Sequence, residues 1–286
     1  MHQKTAIIFL AGIFLCATAL FFWMVVGGSS APSAPVEKSE KTVSRSATVA
    51  ESTTVTERAV PAIDYAGILA RFTGKDVERV PVAEKVFALT FDGGGNAEGV
   101  EKILQTLSHN GIHATFFLTG GFMQKFPDIG ARIVHNGGEV ANHTVTHKDL
   151  SVLSDEEVTA EIIGMQQIAA KQGIMVAPFF RFPYGAPTKE TITLANDLGY
   201  VAVRWTVDSL GWQGAKDGRD ASFVAKRVIQ KAVPGGIALM HLGSASDGST
   251  FDADALPEIM RVLNNEGYRF VSLSELFSTA TENTAP

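Results

Sequence analysis

The sequence predicts an α/β fold in which a parallel sheet or barrel carries its helices on the outside. Short apolar runs of strand length alternate with longer segments of helical periodicity from about residue 84 onward, which is the pattern of successive β/α units. Polar residues also fall at or just after the ends of these runs. Asp92, His143, Arg181, Asp208 and His241 follow one another in that position, and in parallel α/β folds the C-terminal strand ends share one rim where sites are built.

Taken in order, residues 86–91 (VFALTF) read as a strand, followed by a helix over 97–109 that Gly111 closes. A strand at 114–118, a helix at 127–136 and a short strand at 139–141 repeat the unit. Ser154-Asp155-Glu156-Glu157 supplies a capping box for a helix running to Gln172, before Gly173. Later strands are expected at 179–182, 201–207, 237–240 and 269–273, separated by helices at 188–198, 221–232 and 255–265.

Composition narrows the function classes. A chain of 286 residues, 45% hydrophobic and 19% charged, has ample material for one substantial core. A net charge of -6 with no Lys/Arg cluster gives no footprint for nucleic acid. The single cysteine, Cys16, forbids an internal disulfide.

Residues 5–26 (TAIIFLAGIFLCATALFFWMVV) carry no charge and are long enough to cross a hydrocarbon core of about 30 Å. An uncleaved anchor is favoured over a signal peptide. Ser29-Ser30-Ala31 offers a cut site, but Pro32 follows it, and Phe14 and Leu15 are too bulky for a lipoprotein signal before Cys16. Lys4 places the N-terminus in the cytoplasm and the remainder outside. The expected organisation is a cytoplasmic N-terminus (1–4), a transmembrane signal-anchor (5–27), a flexible Ser/Thr/Ala/Pro stalk (28–62), a lead-in segment (63–83), the main folded domain (84–278) and a disordered tail (279–286). The chain is thus expected at the cell membrane with its domain on the extracytoplasmic side, or secreted if the leader is cut.

His143 and His147 stand four residues apart, a spacing that lets two imidazoles face the same way on a helical turn and share a metal ion. Each site residue has an ordinary structural reading when taken alone. Asp92 would cap a helix, Asp208 would form a turn and His241 would be a satisfied core histidine. Their joint placement on one rim is what points to a site.

Five segments now stand in order: Thr90-Phe91-Asp92-Gly93-Gly94, His143-Thr144-Val145-Thr146-His147, Arg181-Phe182-Pro183-Tyr184, Asp208 to Trp212, and Leu239-Met240-His241. Together they resemble the five motifs of polysaccharide deacetylases with the NodB homology domain, carbohydrate esterase family 4. The resemblance covers about residues 84–277 and implies a distorted (β/α) barrel of about seven strands. It implies hydrolysis of N-acetyl, occasionally O-acetyl, groups on a sugar polymer, with His143 and His147 holding a divalent metal. By the same resemblance Asp92 is the general base, Arg181 orients it, and His241 is the general acid with Asp208 as its partner. The backbone N–H of Tyr184 is the oxyanion donor, while Trp212 and Leu239 wall the acetyl pocket. Trp205 reads as ordinary core. Imidazole ligands suit zinc first, with cobalt or nickel as alternatives.

One position departs from the family pattern. A second aspartate commonly follows the base as third metal ligand, and here it is Gly93. Asn96, ahead of Glu98, is the residue placed to substitute, and capping the next helix is its competing role. Gly93-Gly94-Gly95-Asn96 lacks the Lys and Ser/Thr of a phosphate loop and the dinucleotide spacing, so no nucleotide cofactor is expected. No G-x-S-x-G nucleophile motif occurs. The leading expectation is a tethered, metal-dependent deacetylase of peptidoglycan or a chitin-like glycan. A non-catalytic glycan-binding or scaffold domain is the alternative, and a hydrolase of small cyclic amides a third.

Overall fold

The computed structural model describes residues 63–282. The N-terminus (1–4), signal-anchor (5–27) and stalk (28–62) lie outside the described residues, as does the end of the tail. Among the described residues no helix is long and apolar enough to cross a membrane.

The chain opens with α1 (Tyr65–Phe72) and β1 (Asp76–Val77), then β2 (Val86–Gly93), α2 (Val100–His109), β3 (Thr115–Leu118), α3 (Gly120–Lys125), α4 (Pro127–His135) and β4 (Glu139–Asn142). It continues through α5 (Asp155–Lys171), β5 (Val176–Phe180), α6 (Lys189–Asp197), β6 (Val201–Val203), β7 (Val207–Asp208), α7 (Ala221–Lys231), β8 (Gly236–His241), α8 (Phe251–Asn265), β9 (Arg269–Val271) and α9 (Leu273–Glu282). The strands form one sheet in the order β1-β6-β5-β4-β3-β2-β8-β7, with β9 added to β2, and each of these pairings is parallel.

That order forces a curl. β6 and β7 stand near opposite ends of the sheet, yet only residues 204–206 join them, a link of at most ~14 Å. The Arg204 N–H bonds to Val77 O and the Thr206 N–H to Ile237 O, both at 2.8 Å, so the chain leaves one end of the sheet and joins the other. The result is a curled half-barrel of parallel strands. The single strand expected at 201–207 is therefore two, because its donors serve different neighbours.

Nine strands among the described residues replace the expected seven. The addition outside that split is β1, two residues long and too short to leave a periodic signature. It sits in the lead-in segment, which is consequently part of the sheet. α9 runs on into the stretch expected to be a disordered tail, and Ala280 within it is buried.

Burial on both faces explains the unbroken apolar reading of β2, all of whose residues are buried. Phe87, Leu89 and Phe91 pack outward against α2 and α8, while Val86 and Ala88 join Phe117, Ala141, Phe179, Val203 and Ile237 in the barrel interior. The strand period of two then continues each interior file upward to the C-terminal rim. Ala88 leads to Asp92, Ala141 to His143, Phe179 to Arg181 and Ile237 to His241.

Candidate active site

Arg181 is 1% exposed and crosses the top of the barrel. Its Nη1 donates to Asp92 Oδ1 at 2.6 Å, Nη2 to Arg204 O at 3.0 Å and Nε to Val203 O at 3.3 Å. Its guanidinium stacks 4.0 Å from the Phe117 ring centroid and 5.7 Å from that of Trp205. Trp205 is thus only half-buried and lids the arginine, where the sequence suggested plain core. Burial alone would raise the Asp92 carboxyl, but Arg181, His143 and His241 together hold it below the ordinary carboxylate value.

His143 and His147 come together, their ring centroids 4.8 Å apart, but not on a helical turn. Residues 143–147 form a loop in which Thr144 and His147 take left-handed φ values of 69° and 59°. Such conformations cost of order 1–3 kcal/mol and persist only where surroundings enforce them. Here Glu161 of α5, 7% exposed, accepts the Val145 and Thr146 N–H groups at 2.9 and 2.8 Å and the Thr146 hydroxyl as well. Asn142 Oδ1 accepts the Thr144 N–H, and Asn142 Nδ2 donates to Ile162 O.

His143 Nδ1 donates to Arg181 O at 2.8 Å, which leaves Nε2 unprotonated and 3.5 Å from Asp92 Oδ2. Burial lowers the His143 pKa to about 4 and that of His147 below its ordinary value. Both imidazoles are therefore neutral near pH 7, the state a metal ligand requires.

His241 ends β8 at the register position of Asp92 on β2. The carboxylate next to it is Asp252, at 3.7 Å from His241 Nδ1, and Asp252 Oδ2 also accepts the His241 N–H at 2.8 Å. This corrects the pairing with Asp208. Asp208 instead accepts the Leu210 N–H at 2.9 Å and the Trp212 indole N–H at 3.3 Å, and so shapes the loop that brings Trp212 within 6.4 Å of the His241 ring. Trp212 is half-exposed, whereas Leu239 is buried in β8 opposite Asp208 of β7. Asp92, Gly94, Gly95, Trp212, His241 and Gly243 line a pocket of about 120 Å³. Tyr184 stands 4.9 Å from the His147 ring, exposed, in a left-handed conformation with φ 60°.

Neither expected substitute for the third ligand is available. Asn96 Oδ1 accepts the Ser244 N–H at 2.6 Å and its Nδ2 donates to Ser244 O, so the side chain clamps the loop after β8. It does not cap α2 either, whose N-cap is Gly99. Glu98 is exposed. A Cβ on Gly93 would meet Leu118 Cδ2 at 2.8 Å and Leu242 Cδ1 at 2.9 Å, in the outer apolar layer. Among the described residues no group of three or more His, Cys, Asp or Glu is arranged to hold a metal. The donor set that remains, two neutral imidazoles, fits a divalent ion with coordination positions left to water.

Sequence reasoning missed Glu161, Asn142 and Asp252. Asn142 precedes the histidine motif directly, and its being polar at an interior strand end was a usable signal. Glu161 and Asp252 lie inside helices, where a carboxylate reads as solvated surface.

The curled parallel barrel thus gathers an arginine-held aspartate, paired histidines and a further histidine on its C-terminal rim. Residues 79–203 match the family model described as polysaccharide deacetylase. The chain belongs to the polysaccharide deacetylase family. It is 33% identical over 204 residues to a peptidoglycan-N-acetylglucosamine deacetylase of Bacillus cereus, covering 71% of this chain and 72% of that protein. A solved peptidoglycan N-acetylglucosamine deacetylase superposes with a TM-score of 0.66 at 31% identity, over 70% of this chain and 92% of that one. A family pseudoenzyme from Bacillus anthracis superposes with a TM-score of 0.64 at 26% identity, over 71% of this chain and 68% of that one.

Proposed function

We propose that this chain removes N-acetyl, and in some substrates O-acetyl, groups from a cell-surface glycan such as peptidoglycan or a chitin-like polymer. One observation carries the reading. Asp92 is held ionised while His241, its register partner on the adjacent strand, is drawn toward its protonated form. Two titratable groups pushed to opposite proton states within one site are a base and an acid ready near neutral pH.

Held by His143 and His147, a divalent ion, zinc before cobalt or nickel, would supply a Lewis acid and a water of lowered pKa. The chain's own residues do the rest. Asp92, aimed by Arg181, takes the proton of the attacking water. His241 gives a proton to the departing amine nitrogen. Trp212 and Leu239 wall the acetyl group, and the Tyr184 N–H is the donor for the oxygen that gains charge.

The apolar segment 5–26 would tether the domain to the membrane, facing the extracytoplasmic glycan. Gly93 favours a second reading, a glycan-binding scaffold, since it removes a carboxylate from the site. The test is acetate release from N-acetylated chitooligosaccharides and peptidoglycan, with and without chelator. Release abolished by chelator supports the hydrolase; glycan binding without release under any added metal supports the scaffold.

A further inference from the structure

Asp252 lies outside every motif described above, and yet it is 3% exposed on the first turn of α8. A carboxylate is seldom fully buried unless paired. Its Oδ2 accepts the backbone N–H of His241 at 2.8 Å and stands 3.7 Å from His241 Nδ1. Its Oδ1 and His241 Nδ1 are both buried without a hydrogen-bond partner. The space for this carboxylate exists because residue 211 has no side chain. A Cβ on Gly211 would fall 2.4 Å from Asp252 Oδ1 and 2.6 Å from its Cγ.

We infer that Asp252 is the positioning residue of His241: it fixes the ring by its Nδ1 face, leaves Nε2 to carry the transferable proton, and stabilises the imidazolium. The assignment of His241 as an acid rests on the proposed deacetylase reading, but the pairing does not. The orphaned Nδ1 stands 3.7 Å from Asp252 Oδ2, so a small ring rotation is enough to close a charge-assisted hydrogen bond to this carboxylate. Asp208 instead turns its oxygens to Leu210 and Trp212, and the carboxylate in ion-pair range of His241 is that of Asp252. Other charged groups acting on His241 are Asp92 from β2 and Asp208 from β7, and His147 feels its charge from the loop after β4. Burial works to lower the His241 pKa, and Asp252 leads the carboxylates that outweigh it, so the net shift is upward. Gly211 is in consequence a packing requirement of the acid, since any larger residue would displace Asp252.

The test is an imidazole NMR titration of the full-length protein labelled with 15N in its histidines, with His241 assigned by its loss in His241→Gln. In the unmodified protein His241 is expected to titrate above the ordinary imidazole value of 6.5 as an Nδ1–H tautomer. Asp252→Asn is expected to lower that midpoint by about one unit or more, a differential interaction of about 1.4 kcal/mol per unit. Asp208→Asn is expected to lower it less, and Gly211→Ala to reproduce the Asp252→Asn shift. A wild-type midpoint at or below 6.5, or a larger shift in Asp208→Asn than in Asp252→Asn, overturns the pairing. If the variants do not fold, a wild-type midpoint at or below 6.5, or an Nε2–H tautomer, still overturns the pairing. Since none of these readouts needs turnover, absence of acetate release would count against the deacetylase reading and leave the pairing standing.

Discussion

Asp92 and His241 are direct register partners on neighbouring parallel strands, and their surroundings drive them to opposite protonation states. If Asp92 must be ionised and His241 protonated, the Asp92 limb of acetate release lies below the ordinary carboxylate value of 3.8, and an acid limb above it belongs to His143 and His147, which must stay neutral to hold a metal. The rate falls on the alkaline side only above the ordinary imidazole value of 6.5. A kcat/KM profile should therefore show a plateau wider than unperturbed groups would give. An alkaline limb below 6.5 would remove His241 from the acid role.

Arg181→Met should be among the most damaging substitutions in the domain. It strands the buried Asp92 carboxylate without its partner and frees two carbonyl acceptors, Val203 O and Arg204 O. Breaking one side of a buried pair costs about 3–5 kcal/mol. Denaturant midpoints measure this. A loss under about 1 kcal/mol would mean that Asp92 takes up its proton with little strain.

Glu161→Gln tests the loop that carries the histidines. The carboxylate satisfies three donors of Val145 and Thr146, and the amide has one acceptor oxygen left to do so. Zinc affinity by calorimetry should weaken by about tenfold, as for other supports lying behind metal ligands. Unchanged affinity would show that Asn142 alone holds the left-handed turn.

Acid should destabilise the protein in a definite window. The folded pKa of His143 is lowered from 6.5 to about 4, so its contribution is fully present above 6.5 and is lost as the pH falls from there toward 4. That gap corresponds to about 3 kcal/mol for a fully buried group. Metal-free protein titrated with denaturant between pH 7 and pH 4 measures the slope, and His143→Gln should flatten it.

Gly93→Asp should destabilise the domain rather than simply complete a metal site. The new Cβ would press on Leu118 and Leu242 in the outer apolar layer, and overpacking of this kind costs about 1–3 kcal/mol. Tighter zinc binding with an unchanged denaturant midpoint would show instead that the glycine turn swings to admit the carboxylate.

Much of this organisation was legible in the chain because it is local. The apolar file of β2, and the Ser154–Glu157 capping box, seen as Glu157 N–H to Ser154 Oγ and Ser154 N–H to Glu157 Oε2, are spelled out within a few residues. The convergence of Asp92, His143, Arg181 and His241 on one rim follows from strand alternation together with the parallel strand order. What escaped depends on partners distant in sequence. Asn96 is engaged by Ser244, 148 positions away, so its short distance from the glycine turn said nothing about metal binding. His143 and His147 were read on a helical turn because nothing in the motif shows that Glu161 would support a left-handed one. β1 was invisible because two residues have no period.

The three-residue passage from β6 to β7 has a bearing on engineering. Residues 204–206 are the seam that draws the sheet round, and they supply one of the carbonyls that orient Arg181 over Asp92. Lengthening the seam by a residue or two would loosen the curl and shift the carbonyl that holds Arg181 over Asp92 at the same stroke. The curl of the fold and the aim of the Arg181–Asp92 pair are thus a single degree of freedom. Changes in the rim loops, such as the one bearing Trp212, would leave both untouched.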